Sequence, residues 1–366
     1  MAELRIEQLL REMVNRKASD LHLRVGVPPV YRINGALQRP FDIRVDSLMM
    51  DSFLDDIMNR DQKQRFEANK ECDFAVGARD MGRFRVNVFR QRGTIAVVIR
   101  HIKAVIPAFE DLHLPEVIRD LALTKRGLVL VTGTTGSGKS TTLASMIDYI
   151  NQKESVNVIT VEDPIEYLYR DNVAIISQRE IGVDTLSYAN ALRAALRQDP
   201  DVLLVGEIRD LETMQIALTA ADTGHMVFAT IHTTNAVETI HRVLSMYPPH
   251  QHDEVRLLLA EVLAGIISLR LLPTKDGKGR VPAAEILVNT GAIKEYIQDK
   301  NKIDMVEQAV AEGHLQYHSQ TFDQALLELY QNEQISLETA MNAATNRDDF
   351  DLKIRGISGT SDRGWM

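Results

Sequence analysis

Little in this chain points toward secretion, the membrane or nucleic acid. Its 366 residues include one cysteine, one tryptophan, 5% aromatics and no surplus of positive charge. A lone Cys72 excludes an intramolecular disulfide framework and fits a reducing compartment. Arg5, Glu7, Arg11 and Glu12 interleave with apolar residues, so the N-terminus lacks a signal-peptide core. No apolar run reaches the ~18–20 residues that span a bilayer. Residues 257–269 come nearest, are interrupted by Glu261, and are expected to form a buried helix. These absences predict a soluble cytoplasmic protein with no membrane span, free to dock on a membrane complex. The net charge of −9 weighs against a nucleic-acid partner. One stretch runs the other way: Arg83, Arg85, Arg90, Arg92, Arg100 and Lys103 stand together with no acidic residue among them.

Internal repeats and low-complexity tracts are missing too. What is present is ordinary globular composition, 45% hydrophobic and 25% charged, in a length that suits two or three domains. Residues 1–17 read as a helix, and 20–24 and 30–33 as strands, the second closing on an Asn34-Gly35 turn. Helices follow over 48–68, then strands over 84–89 and 94–100 joined across Gln91-Arg92-Gly93. The N-terminal domain, 1–107, is therefore mixed α/β, and Pro107 and Pro115 mark a linker over 108–115. Beyond it, apolar runs at 128–131, 156–161, 173–176, 202–205 and 226–231 alternate with helical patterns. Such alternation predicts a parallel sheet with helices on both faces, a core domain over 116–290. Residues 253–350 are expected to be mostly helical around a 275–280 loop, with a helical C-terminal region over 291–357. The tail, 358–366, lacks periodicity and is expected to be disordered.

The most informative segment is Gly133, Thr134, Thr135, Gly136, Ser137, Gly138, Lys139 and Ser140, a complete G-x-x-x-x-G-K-S loop followed by Thr141. It lies between the apolar strand 128–131 and a helical pattern carrying Leu143, Met146 and Ile147 on one face. In that context backbone N–H groups and a helix N-terminus cradle phosphates. Lys139 is expected to reach the β- and γ-phosphates of ATP, and the Ser140 hydroxyl to ligate Mg²⁺.

Three further segments bring polar groups to strand ends, where an open α/β sheet holds its ligand. Glu162 closes one strand, and Asp163-Pro164 turns the chain toward Glu166. A carboxylate there positions or deprotonates a water, or else belongs to common turn chemistry. The apolar strand 202–205 leads through Gly206 to Glu207 and Arg209, with Glu207 expected on the Mg²⁺ side through water. Arg193 and Arg197, four apart, would share a helix face as a solvated stripe or as two cations aimed at a phosphate. His225 and His232 flank the strand 226–231, and His232 is a candidate sensor of the γ-phosphate.

Together, the phosphate loop, the acidic box 162–166, Gly206-Glu207-Ile208-Arg209-Asp210 and the histidine box 224–235 closely resemble the secretion ATPases of type II secretion and type IV pilus systems. Leu192-Arg193-Ala194-Ala195-Leu196-Arg197-Gln198-Asp199-Pro200-Asp201 fits the same pattern, and the resemblance runs from Ala18 to Ile354. It implies a PAS-like N-terminal domain, a RecA-like P-loop ATPase domain and a homohexameric ring. Also implied are an inner-membrane platform protein of the pilus machine as partner and peripheral association with that membrane. Arg85 and Arg100 resemble N-terminal arginines that complete the nucleotide site, and Arg209 and Arg280 resemble functional arginines of the motor. Gly206 is what the family carries. No cysteine stands in the 275–280 loop and no long segment precedes the PAS-like domain, which resembles the retraction branch rather than the assembly branch. Ala292-Ile293-Lys294-Glu295-Tyr296-Ile297 departs from the Ala-Ile-Arg-Asn-Leu-like helix usual there. An accessory or assembly-type ATPase is thus the alternative, and a RecA-fold nucleic-acid motor a more remote one.

Overall fold

A computed structural model describes residues 4–33, 35–78, 81–102 and 105–355. Asn34, Lys103 and the tail 358–366 lie outside these described residues. Contacts divide the chain into two compact units, one running to Val105 and including Glu166–Leu168, the other taking Ile106–Ile165 and everything from Tyr169 on.

The first unit runs α1 (Ile6–Asn15), β1 (Asp20–Arg24), β2 (Val30–Ile33), β3 (Ala36–Gln38), α2 (Ser47–Ile57), α3 (Arg60–Asn69), β4 (Glu71–Ala78), β5 (Gly82–Gln91) and β6 (Thr94–Ile102). Its antiparallel sheet has the order β3-β2-β1-β6-β5-β4. The spacing of Ile6, Leu9, Leu10 and Met13 gives α1 one buried stripe. Leu21, Leu23, Val86, Val88, Val97 and Ile99, alternate residues of their strands, share a core with that stripe and with Phe53 of α2. Residues between them fall on the other face, and there the register lines up Arg32, Asp20, Arg100 and Arg85 in one row across four strands. The β5–β6 hairpin closes on Arg92 and Gly93, both at positive φ, as a two-residue loop demands.

The second unit begins with α4 (Val117–Ala122) and continues β7 (Gly127–Thr132), α5 (Lys139–Lys153), β8 (Asn157–Glu162), β9 (Ile175–Glu180), α6 (Tyr188–Ala195), β10 (Val202–Val205), α7 (Leu211–Asp222), β11 (Met226–Ile231), α8 (Ala236–Ser245), α9 (His252–Val262), β12 (Leu263–Pro273) and β13 (Arg280–Val288). Six further helices follow, α10 (Gly291–Gln298), α11 (Val306–Glu312), α12 (His314–Tyr317), α13 (Phe322–Gln331), α14 (Leu337–Ala343) and α15 (Arg347–Ile354). The sheet order is β13-β12-β7-β11-β10-β8-β9, parallel except for β13. Both faces are covered: Leu128 and Leu130 join a core with α6 to α9, while Val129 and Val131 join another with α4 and α5. The segment read as a linker also packs here. Phe109 is buried beneath Arg119, and the Ser145 hydroxyl donates to the Pro107 carbonyl.

Two expectations are corrected. The apolar run 257–269 is not one helix: α9 ends at Val262, and the chain enters β12, which pairs with β7 and β13. A strand buried on both faces has no alternation to distinguish it from a buried helix. Arg193 and Arg197 do not share a helix face either, because α6 stops at Ala195. Among the described residues no helix is long and apolar enough to cross a membrane.

Candidate functional site

The parallel order places the C-terminal ends of β7, β11, β10 and β8 side by side. From those four ends emerge the phosphate loop, His232, Glu207 and Glu162, so segments up to 100 residues apart share one edge.

At the phosphate loop the backbone dictates the sequence. Gly133 sits at φ 138°, and a Cβ there would fall 2.4 Å from Ser137 Oγ and 2.6 Å from the Leu269 carbonyl. Gly138 caps α5 in the left-handed region with no side-chain acceptor, which leaves the first helical N–H groups facing outward. Lys139 is buried, and its ammonium donates to the carbonyls of Gly133 (2.7 Å) and Thr134 (3.0 Å). Thr134, Thr135 and Gly136 are exposed, and Ser140 and Thr141 half-buried. A concave run of amides beside a buried ammonium fits a polyphosphate.

Next to it, Glu207 binds two partners. Arg209 Nη2 donates to its Oε2 at 2.6 Å, and His232 Nε2 lies 3.1 Å from its Oε1. Burial pushes this carboxyl up, but the Arg209 hydrogen bond and the His232 and Arg209 charges outweigh it, leaving it below the usual range. A carboxylate so held is a weak base and a good ligand. Glu162, half-buried, accepts from the Thr160 hydroxyl (2.7 Å) and Gln178 Nε2 (3.2 Å). Glu166 lies four residues past β8, exposed, with no hydrogen bond or ion pair to its carboxylate among the described residues.

Sequence reasoning missed Tyr188. Burial, and after it the charges of Asp163, Glu207 and Glu162, push its hydroxyl well above the ordinary phenol range. That hydroxyl explains Gly206: a Cβ there would lie 3.1 Å from it, 3.2 Å from Glu162 Cα and 3.2 Å from the Val161 carbonyl. In a chain this poor in aromatics, a tyrosine opening a helix upstream of the acidic strand was the available signal.

Not every candidate joins this edge. His225 lies at the opposite end of β11, roughly 20 Å from His232 at ~3.3 Å per residue, and its Nδ1 bonds the Ala220 carbonyl at 2.9 Å. Arg197 is exposed beside Gln198 and Asp199, whose carbonyls accept from Asn157 at the start of β8. Arg193 pairs with Glu212. Arg280 is exposed on the phosphate-loop side, paired in register with Pro273. In the first unit, Arg85 and Arg100 stand directly opposite each other. Asp20, itself buried, takes Arg100 at 2.9 Å and Arg32 at 3.8 Å, while Arg85 lies 3.9 Å from Asp73. Like charges across a strand pair are unfavourable unless an anion compensates.

The model of the family described as "Type II/IV secretion system protein" matches residues 1–351. The chain belongs to that family. It is 42% identical over 345 residues to the type IV pilus retraction ATPase PilT of Pseudomonas aeruginosa, covering 94% of this chain and 99% of that one. To the type IV pilus ATPase PilU of the same organism it is 41% identical over 352 residues, 96% of this chain and 92% of the relative. A crystal structure of the pilus retraction motor PilT with bound ADP superposes with a TM-score of 0.89 at 46% identity, covering 95% of this chain and 99% of that one. The chain is an ATPase of this family and a nucleotide-binding protein.

Proposed function

We propose that this ATPase is the motor of type IV pilus retraction and thereby of twitching motility. The observation that carries the reading is the likeness to PilT in sequence and structure along almost the whole of both chains. The motor works as a homohexamer, in the cytoplasm at the inner membrane, against the platform protein of the pilus machine. Ser140 and, through water, Glu207 would hold Mg²⁺, which would supply charge neutralisation at the phosphates. Glu166, exposed beyond the end of β8, activates the attacking water, while Glu162 shapes the acidic wall. His232 senses the γ-phosphate, and Arg209 holds Glu207 ionised. Arg85 and Arg100 complete the site from a neighbouring subunit, with Arg280 as a further nucleotide contact, while Arg193, Arg197 and His225, which do not join the phosphate edge, are left to the interface between subunits.

Deleting the gene tests the whole reading. Cells are expected to carry surplus surface pili and to lose twitching; normal twitching with normal piliation overturns it. The near-equal likeness to PilU carries a second reading, an accessory ATPase of the same machine. Under that reading the deletion leaves twitching largely intact and shows its effect only when retraction is already weakened.

Glu166→Gln and Glu207→Gln are each expected to bind ATP and hydrolyse it ~10²–10⁴-fold more slowly, since an amide keeps the shape and loses the carboxylate. Steady-state turnover alongside nucleotide binding checks this. If both variants turn over normally while Glu162→Gln fails, the roles are exchanged.

A further inference from the structure

A line of buried polar side chains crosses the second unit just behind the phosphate loop. Thr132, the last residue of β7, is fully buried, and its hydroxyl donates to Ser268 Oγ of β12 at 3.0 Å. Ser268, also fully buried, donates to Glu285 Oε1 of β13 at 3.3 Å. The same carboxylate oxygen accepts from the Ala236 backbone N–H, the first of α8, at 2.6 Å. In register, Thr132 faces Ser268 and Ser268 faces Glu285, so the three form one row across adjacent strands. One end of the row meets Gly133. The other holds the helix that begins four residues after His232.

A buried carboxylate disfavours folding unless its contacts justify it, and an apolar residue at 285 would suit this core better. We propose that Glu285 is a positioning residue of the ATPase, tying the first turn of α8, and with it segment 232–235, to the strand that delivers the phosphate loop. Nucleotide does not touch it. It fixes where His232 stands relative to Lys139, and so rests on the reading of His232 as γ-phosphate sensor.

The ionised carboxylate is the form that tethers. It accepts a short, charge-assisted bond from an N–H at a helix N-terminus, where negative charge is favoured. Burial pushes this carboxyl up to about 7, against the pull of the Ala236 N–H, Arg270 and Ser268 and with the help of Glu307. A cavity of about 410 Å³ beside it, lined among others by Glu238 and His241 of α8 and by Asp304 and Glu307, lets protons exchange. Protonation therefore loosens α8 near neutral pH.

The test is kcat and KM for ATP of the full-length protein between pH 6 and 8.5. Wild-type kcat is expected to rise with pH through a midpoint near 7. Glu285→Gln, fixed in the neutral form, should stay ~10–10²-fold below the wild-type plateau, as misplacement near a reacting centre costs. Its KM should change little and the midpoint should vanish. Ser268→Ala removes a donor to the ionised form, so it should move the midpoint upward. His241→Gln, on the same cavity wall, should leave it in place. A merely structural Glu285 would lower the melting temperature and the active fraction without touching the midpoint. The proposal is overturned if Glu285→Gln keeps the wild-type profile, if Ser268→Ala leaves the midpoint unmoved, or if the midpoint follows His241. Should Glu285→Gln fail to fold, Ser268→Ala decides alone. His232→Asn, run in parallel, separates the two readings: its normal turnover removes the sensor role, while the tether is still judged by the midpoint.

Discussion

Replacing Lys139 with alanine is expected to abolish steady-state ATP hydrolysis. The ammonium is buried and held by the carbonyls of Gly133 and Thr134, so its position is set before a phosphate arrives. A preorganised charge of this kind acts on the transferring phosphoryl group without reorganisation at the moment of reaction. Losing one such group typically costs ~10²–10³ in kcat, and the truncation also deprives two loop carbonyls of their donor. Turnover measured on folded, correctly assembled Lys139→Ala protein checks the assignment. Activity near that of the wild type would remove the phosphate loop from the mechanism.

The second large effect concerns Arg85. In the proposed ring this arginine reaches a neighbouring subunit's nucleotide, and an arginine supplied in that way is worth ~10³–10⁵ in turnover. Arg85→Ala should fold normally, because the side chain is 42% exposed and its contact with Asp73 is long. A surface ion pair of that kind contributes little stability. The decisive measurement mixes Arg85→Ala subunits with Lys139→Ala subunits, each nearly inactive alone. Some interfaces of a mixed ring then join an intact arginine to an intact phosphate loop, and ATPase activity should return. No recovery, with mixed rings demonstrated by native mass spectrometry, would place Arg85 within its own subunit or in a purely structural role.

The legible parts of this chain are those where chemistry acts through consecutive residues. A phosphate loop needs glycine at Gly133 and Gly138 because a side chain there would clash or be strained, so eight adjacent positions announce the site. The strands β7, β8, β10 and β11 were equally visible as short apolar runs. Other features depend on partners distant in the chain. Leu263–Pro273 becomes a strand because β7 and β13 flank it, which nothing in its own apolar run records. Glu71–Ala78, rich in residues with weak strand preference, is drawn into β4 by eight paired positions on β5. Thr132 lies more than a hundred residues from Ser268 and Glu285, and the three carry no motif. A spacing of four between Arg193 and Arg197 suggested a shared face, yet the helix ended between them.

The packing around Gly206 limits how this motor can vary. Two backbone atoms and a tyrosine hydroxyl already occupy the surroundings of a Cβ there, and alanine is the smallest possible step away. A side chain at position 206 would press on the β8 backbone at 3.2 Å and on the Tyr188 hydroxyl at 3.1 Å, so a second acid beside Glu207 at that position needs both to give way slightly. Trimming Tyr188 alone would not open this wall, because the β8 backbone at Val161 and Glu162 holds the other side of it.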